Sequence, residues 1–163
     1  MGIPKRKSKQ KGLAKIDFNP IPLPHRSVEA KSNTRQIHEF MTPNPLTIEL
    51  NSPLFEAEKQ MKELEIRHLP VVLEGRLVGI ITDRDITLVK TYRDVELQTA
   101  TVRDGYLPLP YTVSPSALLS EVCETMHKNK MGCALVADGE DLVGIFTWID
   151  GIKLLKKLLK NEL

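Results

Sequence analysis

The chain has 163 residues, 41% hydrophobic and 27% charged, an ordinary balance for a soluble globular protein long enough to bury a core as one domain or two intertwined halves. It holds no run of about 18 apolar residues and no apolar core behind its basic start, so neither a membrane-spanning helix nor secretion is expected. The net charge of +2 is unevenly spread: residues 1–36 carry nine Lys/Arg against Asp17 and Glu29, a net +7, and the remainder carries 14 basic and 19 acidic residues, a net −5.

Residues 1–36 are poor in large apolar side chains and contain Pro4, Pro20, Pro22 and Pro24. Such a stretch buries too little surface to offset its ordering entropy and reads as a disordered or loosely draped basic tail. Within it, Asn19 to Pro24 favours an extended conformation. Arg6 stands where an N-myristoylation signal carries Ser or Thr. The run Lys5–Lys11 has charge without interleaved aromatics, the pattern of a solvated tail rather than a nucleic-acid grip. Cys123 and Cys133 form neither a disulfide framework nor a metal knuckle and read as reduced, small hydrophobes in a cytoplasmic setting.

An internal repeat organises the rest. Residues 37–89, slid forward by 65 positions, fall on 102–154 without a gap. Pro43, Pro45 and Thr47 meet Pro108, Pro110 and Thr112; Leu54, Glu56 and Met61 meet Leu119, Glu121 and Met126. Leu77-Val78-Gly79-Ile80 meets Leu142-Val143-Gly144-Ile145, and Thr82 and Asp85 fall on Thr147 and Asp150. In repeat one, Pro45 to Ile48 predicts a short extended piece. Ser52 is the expected cap of a helix with Pro53 at its first position and a buried stripe of Leu54, Ala57, Met61 and Leu64. Strands follow at His68–Leu73 and Arg76–Ile81 around a Glu74-Gly75 turn, then a helix from near Thr82 to about Tyr92. Repeat two predicts a helix carrying Leu118, Leu119, Val122 and Met126, strands at Cys133–Ala137 and Asp141–Phe146 with a turn at Asp138-Gly139, and a last helix from Gly151 to about Asn161. That helix is apolar beyond the needs of one sheet contact, a candidate self-association surface, although each leucine alone also fits simple packing.

A duplicated β-α-β-β-α unit closing in Gly-hydrophobic-hydrophobic-Thr-x-x-Asp resembles the cystathionine-β-synthase (CBS) domain family, with Met41-Thr42-x-x-Pro45 and Ile66-Arg67-His68-Leu69-Pro70-Val71-Val72 as further matches in repeat one. The likeness spans roughly residues 36–160. Repeat two departs from it at Tyr106-Leu107 and at Leu135. It implies an α/β (α+β) fold: two CBS repeats, residues 37–92 and 93–163, packed as an intertwined pseudo-two-fold pair behind the tail 1–36. It also implies two clefts between the repeats that take adenosine nucleotides (AMP, ADP or ATP) or S-adenosylmethionine.

By that resemblance one cleft combines Thr147 and Asp150 with Thr42, Leu46, Thr47, Ile66, Arg67 and His68. The other combines Thr82 and Asp85 with Tyr111, Thr112, Met131, Gly132 and Cys133. The chemistry of the residues agrees. An ionised carboxylate accepts from the adjacent hydroxyls of a ribose, and a helix N-terminus has unpaired N–H groups for a phosphate. The glycine before each motif permits close approach of a ligand or of backbone. Thr-x-x-Asp is also a helix-capping pattern, and the two roles are compatible. Arg67 and His68 supply cations where Gly132 and Cys133 supply none, so the Asp150 cleft is expected to be the better phosphate site, with Arg84 able to serve the other. Trp148 reads as packing or interface rather than base stacking.

The expected function is a regulatory adenosine-binding module, paired as a homodimer and signalling to a separate protein, with no membrane partner and nucleic acid disfavoured. The alternative is a ligand-independent scaffold for dimerisation and docking. No triad, metal-ligand spacing, phosphate-binding glycine loop or nucleophile motif appears, so no enzyme activity is expected and no cofactor is required.

Overall fold

The computed structural model describes residues 34–93 and 99–162; the expected tail therefore lies, up to residue 33, outside the described residues. Two four-stranded sheets carry four α-helices among the described residues. The first copy runs β1 (Thr42–Pro43), β2 (Ile48–Glu49), α1 (Leu54–Glu63), β3 (His68–Leu73), β4 (Arg76–Thr82) and α2 (Asp83–Arg93). The second runs β5 (Leu107–Pro108), β6 (Thr112–Val113), α3 (Leu119–Asn129), β7 (Cys133–Asp138), β8 (Asp141–Thr147) and α4 (Trp148–Leu159).

Each sheet is finished by the other repeat. Their orders are β2-β3-β4-β5 and β1-β8-β7-β6, so the short strand that opens each copy pairs with the last strand of its counterpart. The same exchange fills the cores. Val102 and Ala100 pack with Leu54, Met61, Leu69 and Ile81 of repeat one, while Ile37 packs with Leu119, Val122 and Phe146 of repeat two. A third cluster of Ile80, Leu135 and Ile145 joins the two sheets. Burial of these side chains at about 25 cal/mol per Å² is what holds the repeats together.

The crossing segments also explain the helix starts. The Leu54 N–H donates to the Ala100 carbonyl (2.8 Å) and the Leu119 N–H to the Arg35 carbonyl (2.9 Å). An orphan amide of each first turn is thereby satisfied by backbone rather than by a side chain. Ser52 is consequently not the cap: Pro53 holds that position with no side-chain bond, and the Ser52 carbonyl accepts from Val102.

Leu64 departs from the expected stripe and is 55% exposed. The helix ends at Glu63, Glu65 turns with φ +53°, and Ile66 packs on the core in its stead. In repeat two Leu118 precedes the helix and is only half-buried. The second hairpin turns at Gly139-Glu140, not Asp138-Gly139, because Asp138 still pairs with Asp141 and Gly139 supplies the positive φ of +64°. The last helix starts at Trp148, three residues before the expected Gly151, because Thr147 caps it.

The glycines before each motif are crowded by the crossing segments rather than left open for a ligand. A Cβ at Gly79 would meet the Tyr106 ring and, at 2.6 Å, the Leu107 carbonyl oxygen. A Cβ at Gly144 would meet the Met41 side chain. Met41 and Tyr106 are themselves 65 residues apart, so both repeats use one device.

Candidate ligand clefts

β4 and β8 meet through Ile80 and Ile145, and each ends in a Thr-x-x-Asp turn. In both turns the capping geometry is complete. The Thr82 N–H and hydroxyl donate to Asp85 Oδ2 at 2.9 and 2.6 Å, and the Asp85 N–H donates back to Thr82 Oγ1 at 3.3 Å. Thr147 and Asp150 repeat this at 2.9, 2.7 and 3.4 Å. One oxygen of each carboxylate is therefore already used. Asp85 Oδ1 accepts no hydrogen bond among the described residues, and Asp150 Oδ1 faces the exposed, displaceable Lys153 ammonium at 3.4 Å. Each aspartate thus offers one oxygen to a ribose, not the two that a free carboxylate has.

The helix N-termini are also less open than expected. The Asp83 N–H donates to the Arg67 carbonyl (3.2 Å) and the Trp148 N–H to the Gly132 carbonyl (3.1 Å). With Asp85 and Asp150 bonded to their threonines, only the Arg84 and Ile149 amides of each first turn have no partner among the described residues.

Arg67 forms an ion pair with Asp83 of its own repeat (Nε–Oδ2 3.8 Å) and is 78% exposed, a geometry that holds it only weakly. His68 opens β3 opposite Thr82. Burial pushes its pKa below the usual 6.5, opposed by Asp83 and Asp85 and assisted by Arg67 and Arg84. Its ring crosses to repeat two, where a Cβ on Gly132 would lie 2.7 Å from Nε2. Gly132 is the counterpart of Arg67, so the missing side chain in one copy makes room for the imidazole of the other. Neither Arg67 nor His68 is bonded to Asp150; their ionic neighbours all belong to repeat one.

Thr42 pairs with Ile145, which sets it on the strand beside β8, two residues short of Thr147. Leu46 and Thr47 lead into β2; Leu46 is 45% exposed. Ile66, Tyr111 and Met131 turn towards the two cores. Thr112 donates its hydroxyl to the Pro110 carbonyl (3.0 Å). Burial pushes the Cys133 thiol up to about 12, keeping it neutral. Trp148 donates its indole N–H to the Met131 carbonyl (2.6 Å), which commits the ring to its own repeat. Met41 and Tyr106, read in the sequence only as motif positions, pack against Gly144 and Gly79, and Asp83, which the sequence did not mark as a site residue, pairs with Arg67.

Two grooves lie at equivalent positions between the paired helices, and they take in some of the candidate residues: Ile66 and Arg67 line the first and Thr147 the second. That between α1 and α2 holds about 400 Å³ and is lined by charged residues such as Glu58, Lys62, Arg67 and Asp83; that between α3 and α4 holds about 220 Å³ and is apolar. No helix among the described residues is long and apolar enough to cross a membrane, and no group of three or more His, Cys, Asp or Glu side chains there is arranged to hold a metal.

The CBS domain model matches residues 37–90 and 108–157. The CBS domain-containing protein YhcV of Bacillus subtilis (strain 168) is 30% identical over 116 residues, 67% of this chain and 77% of its own length. Two larger matched relatives carry enzyme names, and the chain spans only 15% and 28% of their lengths. Among solved structures, the CBS domain pair of protein MJ0100, in complex with 5′-methylthioadenosine and S-adenosyl-L-methionine, matches with TM-score 0.69 and 27% identity over 76% of this chain and 97% of that one. CBSX2 in complex with AMP matches with TM-score 0.64 and 23% identity over 76% and 97%, a likeness of fold. With matched copies on both halves of its repeat and a fold that interlocks them, this chain belongs to the CBS domain family as a tandem pair.

Proposed function

We propose that this chain is a non-enzymatic regulatory module that binds an adenosine-containing ligand between its two CBS repeats. Occupancy changes the arrangement of the repeats, and a separate cytoplasmic protein reads that change. The observation that carries this reading is the duplicated cap. Thr82–Asp85 and Thr147–Asp150 each fix a carboxylate at the end of a seam strand while leaving Oδ1 outside the capping bonds. Capping boxes also recur at Gln36–Glu39 and Thr101–Asp104, so what sets this pair apart is its place at the ends of β4 and β8, the two strands that meet through Ile80 and Ile145. The ligands named for MJ0100 and CBSX2 share the adenosine moiety and differ in charge, which supports the nucleoside as the common element.

Within the nucleotide class (AMP, ADP or ATP), Arg67 and His68 favour the Asp150 cleft for the phosphate, joined there by Thr147, Thr42, Leu46 and Thr47. The Thr82–Asp85 cleft, facing Tyr111, Thr112 and Met131, is the weaker phosphate site. Two copies associate as a homodimer. A scaffold without ligand remains the second reading, favoured by the completeness of both caps.

Calorimetric titration of AMP, ADP, ATP and S-adenosylmethionine into the wild type, Asp85→Asn and Asp150→Asn tests this. Asparagine keeps an oxygen for the cap while removing the charge that a ribose diol prefers. Binding weakened about tenfold or more, mainly in Asp150→Asn, is expected. Loss mainly in Asp85→Asn moves the phosphate to the other cleft. No binding by folded wild type selects the scaffold.

A further inference from the structure

The seam between the repeats holds a titratable ring that neither cap uses. His68 opens β3 opposite Thr82, so its side chain stands on the same sheet face as the Thr82 end of β4. From there it crosses to Gly132, whose Cβ would lie 2.7 Å from Nε2 and 3.4 Å from Cε1. The Gly132 carbonyl in turn accepts from the Trp148 N–H (3.1 Å), the first amide of α4. The imidazole is therefore lodged between Thr82, which opens one Thr-x-x-Asp turn, and the segment that holds the start of the helix carrying Asp150. It is half-buried, and neither ring nitrogen has a hydrogen-bond partner among the described residues.

The charges that face the ring oppose one another. From α2, Asp83 and Asp85 favour the imidazolium and Arg84 disfavours it; from the approach to its own strand Arg67 disfavours it as well. Asp83 is paired with Arg67 (3.8 Å) and Asp85 with Thr82, and neither carboxylate bonds to the ring. Across the seam Gly132 has no side chain, Cys133 is a neutral thiol pushed up to about 12, and Asp150 is held by Thr147 and Lys153. Burial outweighs the two aspartates and holds the ring's pKa below 6.5, so near neutral pH the resting imidazole is uncharged.

We propose that His68 takes up a proton when a phosphate-bearing nucleotide enters the seam beside it, so that binding tightens as the pH falls. This rests on the adenosine-binding reading and adds its regulation: the module reports nucleotide and acidity together. A phosphate supplies what the ring lacks, an opposite charge for the imidazolium and acceptor oxygens for its N–H groups. The free protein keeps the proton off by burial, and the complex takes it from solvent. Affinity therefore rises as pH falls through the His68 pKa of the complex, and levels off below that of the free protein, which lies under 6.5. Cys133, the counterpart of His68, has no charge to gain in this range, so the response belongs to one residue of the pair.

Calorimetric titration of AMP into the full-length chain at pH 6.5, repeated in buffers of different ionisation enthalpy, counts the protons taken up. The phosphate of AMP itself titrates at about pH 6, so the count is read against His68→Gln. Wild type is expected to take up on the order of half a proton more per AMP than the variant. Adenosine, which lacks the phosphate, is expected to cause no uptake. From pH 7.5 to 6 the ratio of AMP affinities, wild type over variant, should rise about fivefold. Equal uptake by the two proteins, a flat ratio, or the same uptake with adenosine would each refute the proposal. The Cε1–H resonance of His68 tests it in wild type alone, without relying on a folded variant. On adding AMP at pH 6.5 it is expected to move to the position of a charged imidazole, and an unmoved resonance in the AMP complex refutes the proposal. Folded wild type that binds neither AMP nor adenosine overturns the adenosine-binding reading and this one with it, whereas AMP binding without proton uptake at His68 overturns the proton coupling alone.

Discussion

Gly79 and Gly144 occupy equivalent strand positions, yet alanine should not cost the same at the two. At Gly79 the added methyl would stand 2.6 Å from the Leu107 carbonyl oxygen and 2.9 Å from Tyr106 Cε2. Leu107 is tied to β4 by its pairing with Ile80, so the carbonyl yields only if β5 lifts away. Overpacking of this kind costs about 1–3 kcal/mol, offset by up to about 1 kcal/mol from removing glycine's excess freedom in the unfolded chain. At Gly144 the obstacle is the Met41 thioether chain, which has three rotatable bonds and can swing aside. The expected net loss is about 1–2 kcal/mol for Gly79→Ala and under about 0.5 kcal/mol for Gly144→Ala. At about 2–4 °C per kcal/mol the two melting points should differ by several degrees, with urea midpoints in the same order. Equal losses, or a larger loss at Gly144, would refute the argument that the crossing segments lock the repeats through these glycines.

Three further outcomes follow from the site. Asp150→Ala should lower stability by about 1–2 kcal/mol in urea unfolding, because the Thr147 N–H and hydroxyl lose their acceptor, and Asp150→Asn should recover at least half of that. His68 titrates below its usual 6.5 in the folded protein, so the unfolded chain takes up the proton first as pH falls. The contribution of neutral His68 is complete above about pH 6.5 and declines below it until the lowered folded pKa is passed; His68→Gln should flatten that part of a urea-midpoint profile measured from pH 5 to 7.5. Ser52→Ala should change the urea midpoint by the equivalent of less than about 0.5 kcal/mol, since Ser52 contributes a backbone carbonyl and no side-chain cap to α1.

The duplication and its long elements were legible because they rest on side-chain periodicity and on identities at one offset. β3 is a continuous apolar run that ends where the Glu74-Gly75 turn predicts, and α1 buries Leu54, Ala57 and Met61 as its spacing requires. The exchange of opening strands was not legible from residue pattern; only the family resemblance implied that the repeats intertwine. β1 and β5 have two residues each, too few for a pattern, and both contain proline. Their pairing exists only because a distant strand offers an edge and a glycine leaves room. The caps were legible as Thr-x-x-Asp but ambiguous in role, since the hydrogen bonds that complete a cap and those that would hold a ribose compete for the same carboxylate.

The asymmetry between the repeats follows from comparing counterparts in space. A fold with pseudo-two-fold symmetry gives each pair of equivalent positions the same backbone but not the same neighbours, because each position looks across the seam at the other copy. Arg67 and Gly132 illustrate this: the arginine pairs with Asp83 at the rim, and the glycine, by having no side chain, admits His68 from across the seam. An arginine at both positions would exclude the imidazole, and a glycine at both would leave no guanidinium at either. The same reasoning applies on the helical faces, where Lys90 completes the Glu58 cluster and its counterpart Leu155 is left bare. Charge near the clefts and apolar surface on the outer helix have therefore been separated into different copies of one duplicated unit. Such a division places charge and exposed apolar surface on different residues, so that either can be altered without the other.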